Sequence, residues 1–388
     1  MSLGCRGFGF TLCGVVAGSL AFVSFFSVFL PDFFGLRQAQ AQDSSETAGD
    51  ALRQKFSEYA NQCLTELSGK NPIAFPKQFQ CIDGPILPIS QKGVPIPADT
   101  PADSKYFTDK TACDKPPILD ISRGGIGQCV PNSRLQVRQV EQQDVDQKDW
   151  PYYALLCRNY KYRSLAEEKI KPEYDDIAMI VYSPANKKTC FFQRLSDPNL
   201  TAFTVSGSAF APQQAIPGTD IPSPFEAGAD AFWDKPSVVE QINCAQCHDA
   251  NPYVRTPYAY QVTINKTDSL PRRSSGEAYE IVALDHFGAS WKQYHGYFDI
   301  QPRKTGEEGA CVTCHSLGLG NSSGSFTDYS AGKPAPNQLD TGEFDDTHWM
   351  PPRAKPTSWS KNYDSSVKKL QACNATPDAK GCNKKMLH

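Results

Sequence analysis

The stretch Asp176-Ile177-Ala178-Met179-Ile180-Val181-Tyr182 is an apolar run with β-branched residues, which is typical of a buried strand. Turn-forming residues follow in Ser183-Pro184-Ala185-Asn186, and Thr189-Cys190-Phe191-Phe192 is a second strand-like run. Together these segments predict a β-hairpin with Met179 in the core. The aromatic-rich run Tyr152–Tyr162 lies just upstream, so we expect residues 150–194 to form β-structure.

The segments before and after this hairpin region differ from it in composition. Apolar residues recur at helical spacing over residues 50–69 and stop at Gly69, which predicts a helix. Residues 70–135 are rich in proline and indicate irregular structure. Residues 195–235 hold more Pro, Gly and Ser, and we interpret them as an ordered linker.

Further helices are predicted in the C-terminal half. Glu277–Phe298 places its large apolar side chains on one stripe and is the clearest amphipathic helix, although Gly288 and Gly296 weaken it and allow a break. A short helix is also expected to start at Pro236. The tail 356–388 has six Lys against two Asp and contains a helix candidate at Asp364–Cys373.

Composition restricts the class of protein. The chain has 388 residues, 40% of them hydrophobic, and 30 prolines argue against a long helical bundle. Its formal net charge of −3 gives no basic surplus, so we expect no nucleic-acid partner. Fourteen cysteines indicate an oxidising compartment or cofactor chemistry.

The N-terminal residues 1–41 have the pattern of an export signal. Arg6 precedes the apolar run Phe8–Leu30, and Ala39-Gln40-Ala41 offers a cleavage site after Ala41. Export predicts a periplasmic or extracellular location. The run is long enough to span a bilayer, so an uncleaved segment would instead anchor the chain in a membrane.

Twelve cysteines follow this segment, and four of them lie in two C-x-x-C-H motifs. These are Cys244-Ala245-Gln246-Cys247-His248 and Cys311-Val312-Thr313-Cys314-His315. The other eight form an even set, which in an exported chain predicts four disulfides. Short sequence separation suggests the pairs Cys63–Cys81, Cys113–Cys129, Cys157–Cys190 and Cys373–Cys382.

The C-x-x-C-H spacing suits covalent attachment of a porphyrin. Two thiols three positions apart can each bond to a vinyl group, and the adjacent histidine can then reach the iron. A redox dithiol, a structural zinc site and ordinary disulfides are the alternatives. A redox dithiol would need an α/β unit, which the proline-rich context does not show. A structural zinc site does not require a histidine directly after each cysteine pair, so it leaves these histidines unexplained.

Through these motifs the chain resembles the c-type cytochromes, specifically a di-haem member, over residues 236–355. The resemblance implies two covalently bound haem c groups. It also implies that thioethers form at Cys244, Cys247, Cys311 and Cys314, with His248 and His315 as the proximal iron ligands. The residues before 236 resemble no family.

The sixth ligands have to come from elsewhere in the chain. Met350, in Trp349-Met350-Pro351-Pro352, resembles the Met ligand of single-haem cytochrome c domains, and His348 competes with it for the iron held by His315. For the first haem the candidates are His286 and His295. His295 is preferred because it lies nearer the apolar stripe of the predicted helix, and an open sixth site is the remaining alternative. Met386 is placed in a frayed tail.

These observations predict an α+β chain of several parts. A disulfide-rich, mainly β N-terminal region precedes a small, mostly helical and loop-rich di-haem domain. The parts are the signal peptide 1–41, a helix with a β-rich domain 42–194, the linker 195–235, the di-haem domain 236–355 and the basic tail 356–388.

The expected function is electron relay between redox protein partners. The alternatives are a peroxidase-like di-haem oxidoreductase with one open iron site, and a haem-bearing module that docks to a partner. We therefore favour an electron-transfer protein over an enzyme.

Overall fold

A mainly β core is the central feature of the computed structural model. The structure describes residues 55–91, 94–97, 132–159, 164–196, 215–249, 251–254, 262–264, 267–268, 270, 279–313, 317–320, 323–324, 327 and 356–387. The strands are β1 (Gln78–Phe79), β2 (Ile89–Gln91), β3 (Val94–Ile96), β4 (Arg134–Gln139), β5 (Tyr152–Arg158), β6 (Glu173–Tyr174), β7 (Asp176–Ser183), β8 (Lys188–Leu195), β9 (Ile216–Pro217), β10 (Ile221–Pro222), β11 (Thr263–Ile264), β12 (Thr267–Asp268), β13 (Glu280–Ile281), β14 (Gly296–Phe298) and β15 (Lys384–Met386).

Short helices surround these strands. The α-helical segments are residues 55–68, Leu165–Ile170, Pro236–Ile242, Cys244–Cys247, Gly288–Lys292 and Pro356–Ala375. The 3-10 turns are Cys81–Asp83, Gln147–Asp149, Ala229–Ala231, Leu284–Phe287 and Cys311–Thr313. Within the described ranges, no helix combines the length and the apolar character needed to cross a bilayer.

The main sheet has five strands in the order β13-β8-β7-β5-β4. Neighbouring strands are antiparallel except β13, which adds parallel to the edge of β8. β7 and β8 pair from Ser183↔Lys188 to Asp176↔Leu195, so the predicted hairpin is confirmed. Lys187 takes the positive φ of 57° that closes its turn.

One side of this sheet is buried along its inner strands, and we call it the closed face. The helix 55–68 packs on it through Phe56 and Tyr59, whose rings lie 6.2 and 5.3 Å from the ring of Phe192. Met179 is 1% exposed on this face, as the apolar run predicts. The predicted helix over 50–69 is confirmed across the residues that the structure describes.

Two disulfides fasten the closed face, and they contradict the pairing expected from sequence proximity. Cys63 of the helix bonds to Cys190 of β8, 127 residues away, and Cys81 bonds to Cys157 of β5, 76 residues away. Cys63–Cys81 and Cys157–Cys190 are therefore wrong, because the topology brings distant segments together. Cys373–Cys382 is confirmed, while Cys113 and Cys129 lie outside the described residues.

The predicted amphipathic helix Glu277–Phe298 is wrong. The described part of this segment forms β13, the turn Leu284–Phe287, the helix Gly288–Lys292 and β14. Gly288 has a φ of 73°, and the carboxylate of Glu240 occupies the space that a Cβ there would need. Most apolar side chains of the predicted stripe are buried, but no continuous helix runs through Gly288.

The C-terminal segment is ordered against the rest of the chain. The helix Pro356–Ala375 contains the predicted helix Asp364–Cys373 and extends beyond both of its ends. β15 pairs with β14, with Met386 opposite Gly296, so the frayed tail expected around Met386 is wrong. Leu370 and the Cys373–Cys382 disulfide form a second small core with Phe298 and Val312.

The fold class is confirmed at a coarse level, as a mixed α and β chain with a sheet core and several disulfides. The main hydrophobic cluster runs from Phe56 to Trp291. Residues in the predicted linker form β9 and β10, which pair with β6 and β1. The limits of the predicted domains remain a prediction.

Candidate functional site

The first C-x-x-C-H motif forms one isolated helical turn. The helix Pro236–Ile242 begins with proline at its first position and ends at Asn243, which adopts the left-handed conformation with φ 54° and ψ 48°. Cys244–Cys247 then makes a single turn, and the His248 amide donates to the Cys244 carbonyl at 2.8 Å. Residues three apart on a helix share a side, so both thiols project together.

The imidazole of His248 is held in one tautomer. Its Nδ1 lies 2.8 Å from the carbonyl oxygen of Pro252, and because a carbonyl only accepts, Nδ1 carries the proton. Burial lowers the pKa of His248 to about 4, so the ring is neutral near pH 7. Nε2 keeps its lone pair for a ligand. Metal-binding histidines typically have this arrangement, with the second nitrogen donating to a carbonyl.

Cys244 carries a free thiol, so it is not bonded to Cys247. Burial raises the pKa of this thiol to about 12, which keeps it protonated near neutral pH. The motif is therefore a preformed set of two sulfur atoms and one imidazole nitrogen.

This motif lies against the second side of the main sheet, which we call the motif face. The ring of Phe191 makes an edge contact with the ring of His248, with centroids 5.7 Å apart. Leu156, Ala178 and Ile180 lie beside Phe191 on this face and are half-buried. The motif thus adjoins an apolar surface that is partly exposed at these three side chains.

The loop after the motif is tied to the same sheet. The hydroxyl of Tyr253 lies 3.2 Å from the carbonyl of Tyr152 and 3.4 Å from that of Ile180. Tyr253 follows Pro252 directly, so these bonds fix the carbonyl that orients His248. A tyrosine buried in this way keeps its proton, because burial raises its pKa well above the usual value.

A charged group occupies one end of the motif face. Arg158 Nη1 lies 2.6 Å from Asp176 Oδ2, with the two side chains 11% and 7% exposed. Gln193 donates to the other oxygen of Asp176. The motif face therefore combines an apolar floor with a buried guanidinium at its end.

Only part of the second motif is described. Cys311–Thr313 forms a 3-10 turn, and the Cys311 amide donates to the Ser366 hydroxyl at 3.1 Å. Cys314 and His315 lie outside the described residues, as do Met350 and His348.

The segment directly after the second motif packs on the first one. The Gly320 amide donates to Asp249 Oδ2 at 2.7 Å, and Asp249 follows His248 in the chain. A Cβ on Gly320 would lie 2.6 Å from the Gln246 carbonyl oxygen, and one on Gly318 would overlap the Asp249 carbonyl. Only glycine allows this close approach, which joins the two motif regions.

The two histidines proposed for the first sixth ligand have different surroundings. His295 is 5% exposed, and its Nε2 accepts the Ile281 amide at 3.1 Å, so an iron bond at Nε2 would have to replace this backbone bond. His286 is half-buried, with its ring 6.0 Å from that of Tyr59. Both assignments stay predictions.

Sequence reasoning identified the motif residues but missed their supports. One of these supports had a signal in the sequence. Pro252 lies four residues after His248, and its carbonyl accepts the hydrogen bond from the imidazole. Nothing in the linear pattern assigned Phe191 or Arg158 to the same site, because only strand register puts them on one face. Among the described residues, no group of three or more His, Cys, Asp or Glu side chains converges as a metal cluster.

Comparison with known proteins adds no relative. No protein-family model matches the chain, and neither a curated protein nor a solved structure matches it. The interpretation of the candidate site therefore depends on the geometry of its residues alone.

Proposed function

We propose that this protein is an exported di-haem c-type cytochrome that relays electrons between redox protein partners. Two haem c groups would bond to Cys244 and Cys247 and to Cys311 and Cys314. His248 and His315 would be the proximal ligands. Bound haem supplies one-electron iron chemistry, which the protein tunes through axial ligands and burial.

The conformation of the first motif supports haem attachment. Its two thiols lie on one helical turn, and the neutral His248 holds its proton on Nδ1 through Pro252. A thioether-bound haem needs these two sulfur atoms and a histidine whose Nε2 is available.

The observation that carries the relay function is the contact of Gly318 and Gly320 with the first motif. Gly318 comes three residues after His315 in the sequence, and it contacts Asp249, which directly follows His248. Haems attached at two motifs whose neighbouring segments are in contact would be placed for transfer between them.

The sixth ligands belong to the same proposal. Met350 would complete the iron held by His315, and His295 the iron held by His248, with His348 and His286 as the alternates. A thioether ligand favours the ferrous state, so the Met350 site would have the higher potential.

Export is supported by the disulfides. Three disulfides are present among the described cysteines, and such bonds persist in oxidising compartments. The periplasm or the extracellular space would provide that environment.

The test is expression in a host that matures c-type cytochromes. The mass of the denatured chain should exceed that of the processed polypeptide by two haems, and replacing both Cys244 and Cys247 with alanine should remove one. An unmodified mass in the parent protein would refute the proposal. A high-spin ferric spectrum from one of two attached haems would instead favour the oxidoreductase alternative.

A further inference from the structure

The motif face carries partly exposed apolar side chains on strands whose opposite side is fully buried. β5 and β7 are inner strands, and their closed-face residues Leu155, Met179 and Val181 are 0–1% exposed. On the motif face of the same strands, Leu156, Ala178 and Ile180 are only half-buried. Ala154 and Tyr182, on the same face, are 6% and 5% exposed, so the partial exposure is confined to these three apolar side chains. A partly exposed apolar patch beside the motif is suited to receive an apolar ligand.

Strand register defines the extent of this patch. Leu156 pairs with Ala178, and Ile180 pairs with Phe191, so the four side chains form one continuous apolar patch. Phe191 contacts His248 at its edge. The patch therefore begins where the motif histidine lies.

A buried ion pair lies two residues along each strand from this patch. Arg158 pairs with Asp176 in the register, two positions beyond Leu156 and Ala178. From Ile180 to Asp176 the strand advances four residues, or about 13 Å. The floor is thus apolar at one end and cationic at the other, over roughly the length of a porphyrin with its side chains.

We infer that the motif face is the seat of the first haem, with the porphyrin against Leu156, Ala178, Ile180 and Phe191 and one propionate bound by Arg158. A porphyrin is a flat apolar plate whose two propionates are carboxylates. A guanidinium has five N–H donors in a planar fork, which can bind Asp176 and a second carboxylate together. The inference rests on the proposed function and adds the binding surface and a positioning residue.

The first test measures the reduction potentials of both haems in Arg158→Gln. A cation near the iron favours the ferrous state, so we expect one potential to fall while the other stays unchanged. Arg158→Lys should lower the same potential less. The matched control is Arg134→Gln, because Arg134 forms a similarly buried pair with Glu168 from the closed face and should leave both potentials unchanged.

If Arg158→Gln carries two haems and both potentials equal those of the parent protein, the inference is wrong. A parent protein without covalent haem would instead refute the proposed function. The two failures are therefore distinguishable by mass and by redox titration.

A second variant tests the apolar floor without touching the ion pair. Ala178→Phe adds an aromatic ring to the patch between Leu156 and Ile180, and phenylalanine suits a strand. We expect the mature protein to carry one haem instead of two, with the loss at Cys244 and Cys247 in peptide mapping. Two attached haems with unchanged spectra and potentials would overturn the seat on this face.

Discussion

The two faces of the main sheet differ in how deeply their central side chains are buried. The closed face packs against the helix 55–68 and is fastened by the Cys63–Cys190 and Cys81–Cys157 disulfides, and its central side chains are 0–1% exposed. The motif face has half-buried apolar side chains next to His248 and a buried ion pair.

The difference indicates where the stability of this chain is concentrated. Covalent links and dense packing hold the closed side of the inner strands, so the motif side can keep partly exposed apolar side chains without loss of the fold. Under the proposed function, alternate residues of one strand would serve stability on one face and the haem on the other. Substitutions at neighbouring positions should therefore lower the stability by different amounts.

The largest effect is expected from removing Cys63–Cys190 by a Cys63→Ala, Cys190→Ala double substitution. This bond spans 127 residues, but Cys81–Cys157 inside that span, with a separation of 76, shortens the loop to about 50 residues, so chain entropy predicts a loss of about 4 kcal/mol in the free energy of unfolding. Urea denaturation measures it. The control is Cys373→Ala, Cys382→Ala, which opens a separation of 9 residues and should lose about 2.5 kcal/mol. Equal losses would show that loop length does not set these contributions.

The next effect compares adjacent residues of β7. Met179→Ala removes a side chain that is 1% exposed and should lower the free energy of unfolding by about 3 kcal/mol. Ile180→Ala, at a half-buried position, should lower that of the haem-free chain by only about 1 kcal/mol. If Ile180→Ala proves as costly as Met179→Ala, the motif face is packed as tightly as the closed face.

Acidification should lower the free energy of unfolding through His248 on the motif face. The pKa of His248 is lowered to about 4 from about 6.5 because burial disfavours the charged ring. The unfolded chain binds this proton first, so stability falls as the pH drops from 6.5 to 4, by on the order of 2 kcal/mol for a partly exposed ring. Urea titrations of the haem-free chain at several pH values measure this slope. His248→Gln should remove it, and an unchanged slope would assign the effect to other groups.

The smallest effect is expected at the contact between the two motif regions. Gly320→Ala places a methyl group 2.6 Å from the Gln246 carbonyl and should destabilise the chain by about 1–2 kcal/mol. Gly228→Ala serves as a control with no atom within 4 Å, where only the positive φ opposes the substitution. Thermal unfolding compares them. Rates of reduction of the second haem should fall in Gly320→Ala alone, and equal rates in both variants would deny the contact a role in the relay.

Local patterns in the sequence predicted local structure well. The β7–β8 hairpin follows from two apolar runs and a turn, and the helix at Asp364–Cys373 follows from spacing. Two of the predicted disulfide pairs were wrong because sequence separation carries no information about which strands lie under the helix 55–68. The helix predicted at Glu277–Phe298 was wrong because the prediction gave the apolar stripe more weight than the conformational freedom of Gly288.

The same limit applies to the candidate site. Each C-x-x-C-H motif lies within five consecutive residues, so both motifs are recognisable directly in the sequence. The surroundings of the first motif come from β5, β7 and β8, which lie 50–90 residues upstream of it. Such residues as Phe191 and Arg158 enter the site only through strand register, which a single sequence does not specify.

The shielded thiol of Cys244 has a consequence for how the protein is made. Disulfide exchange proceeds through thiolates, and a pKa of about 12 leaves roughly one thiol in 10⁵ ionised at pH 7. In an oxidising compartment, Cys244 of a chain that folded before the proposed haem attachment would therefore exchange slowly with the disulfides of the six described paired cysteines.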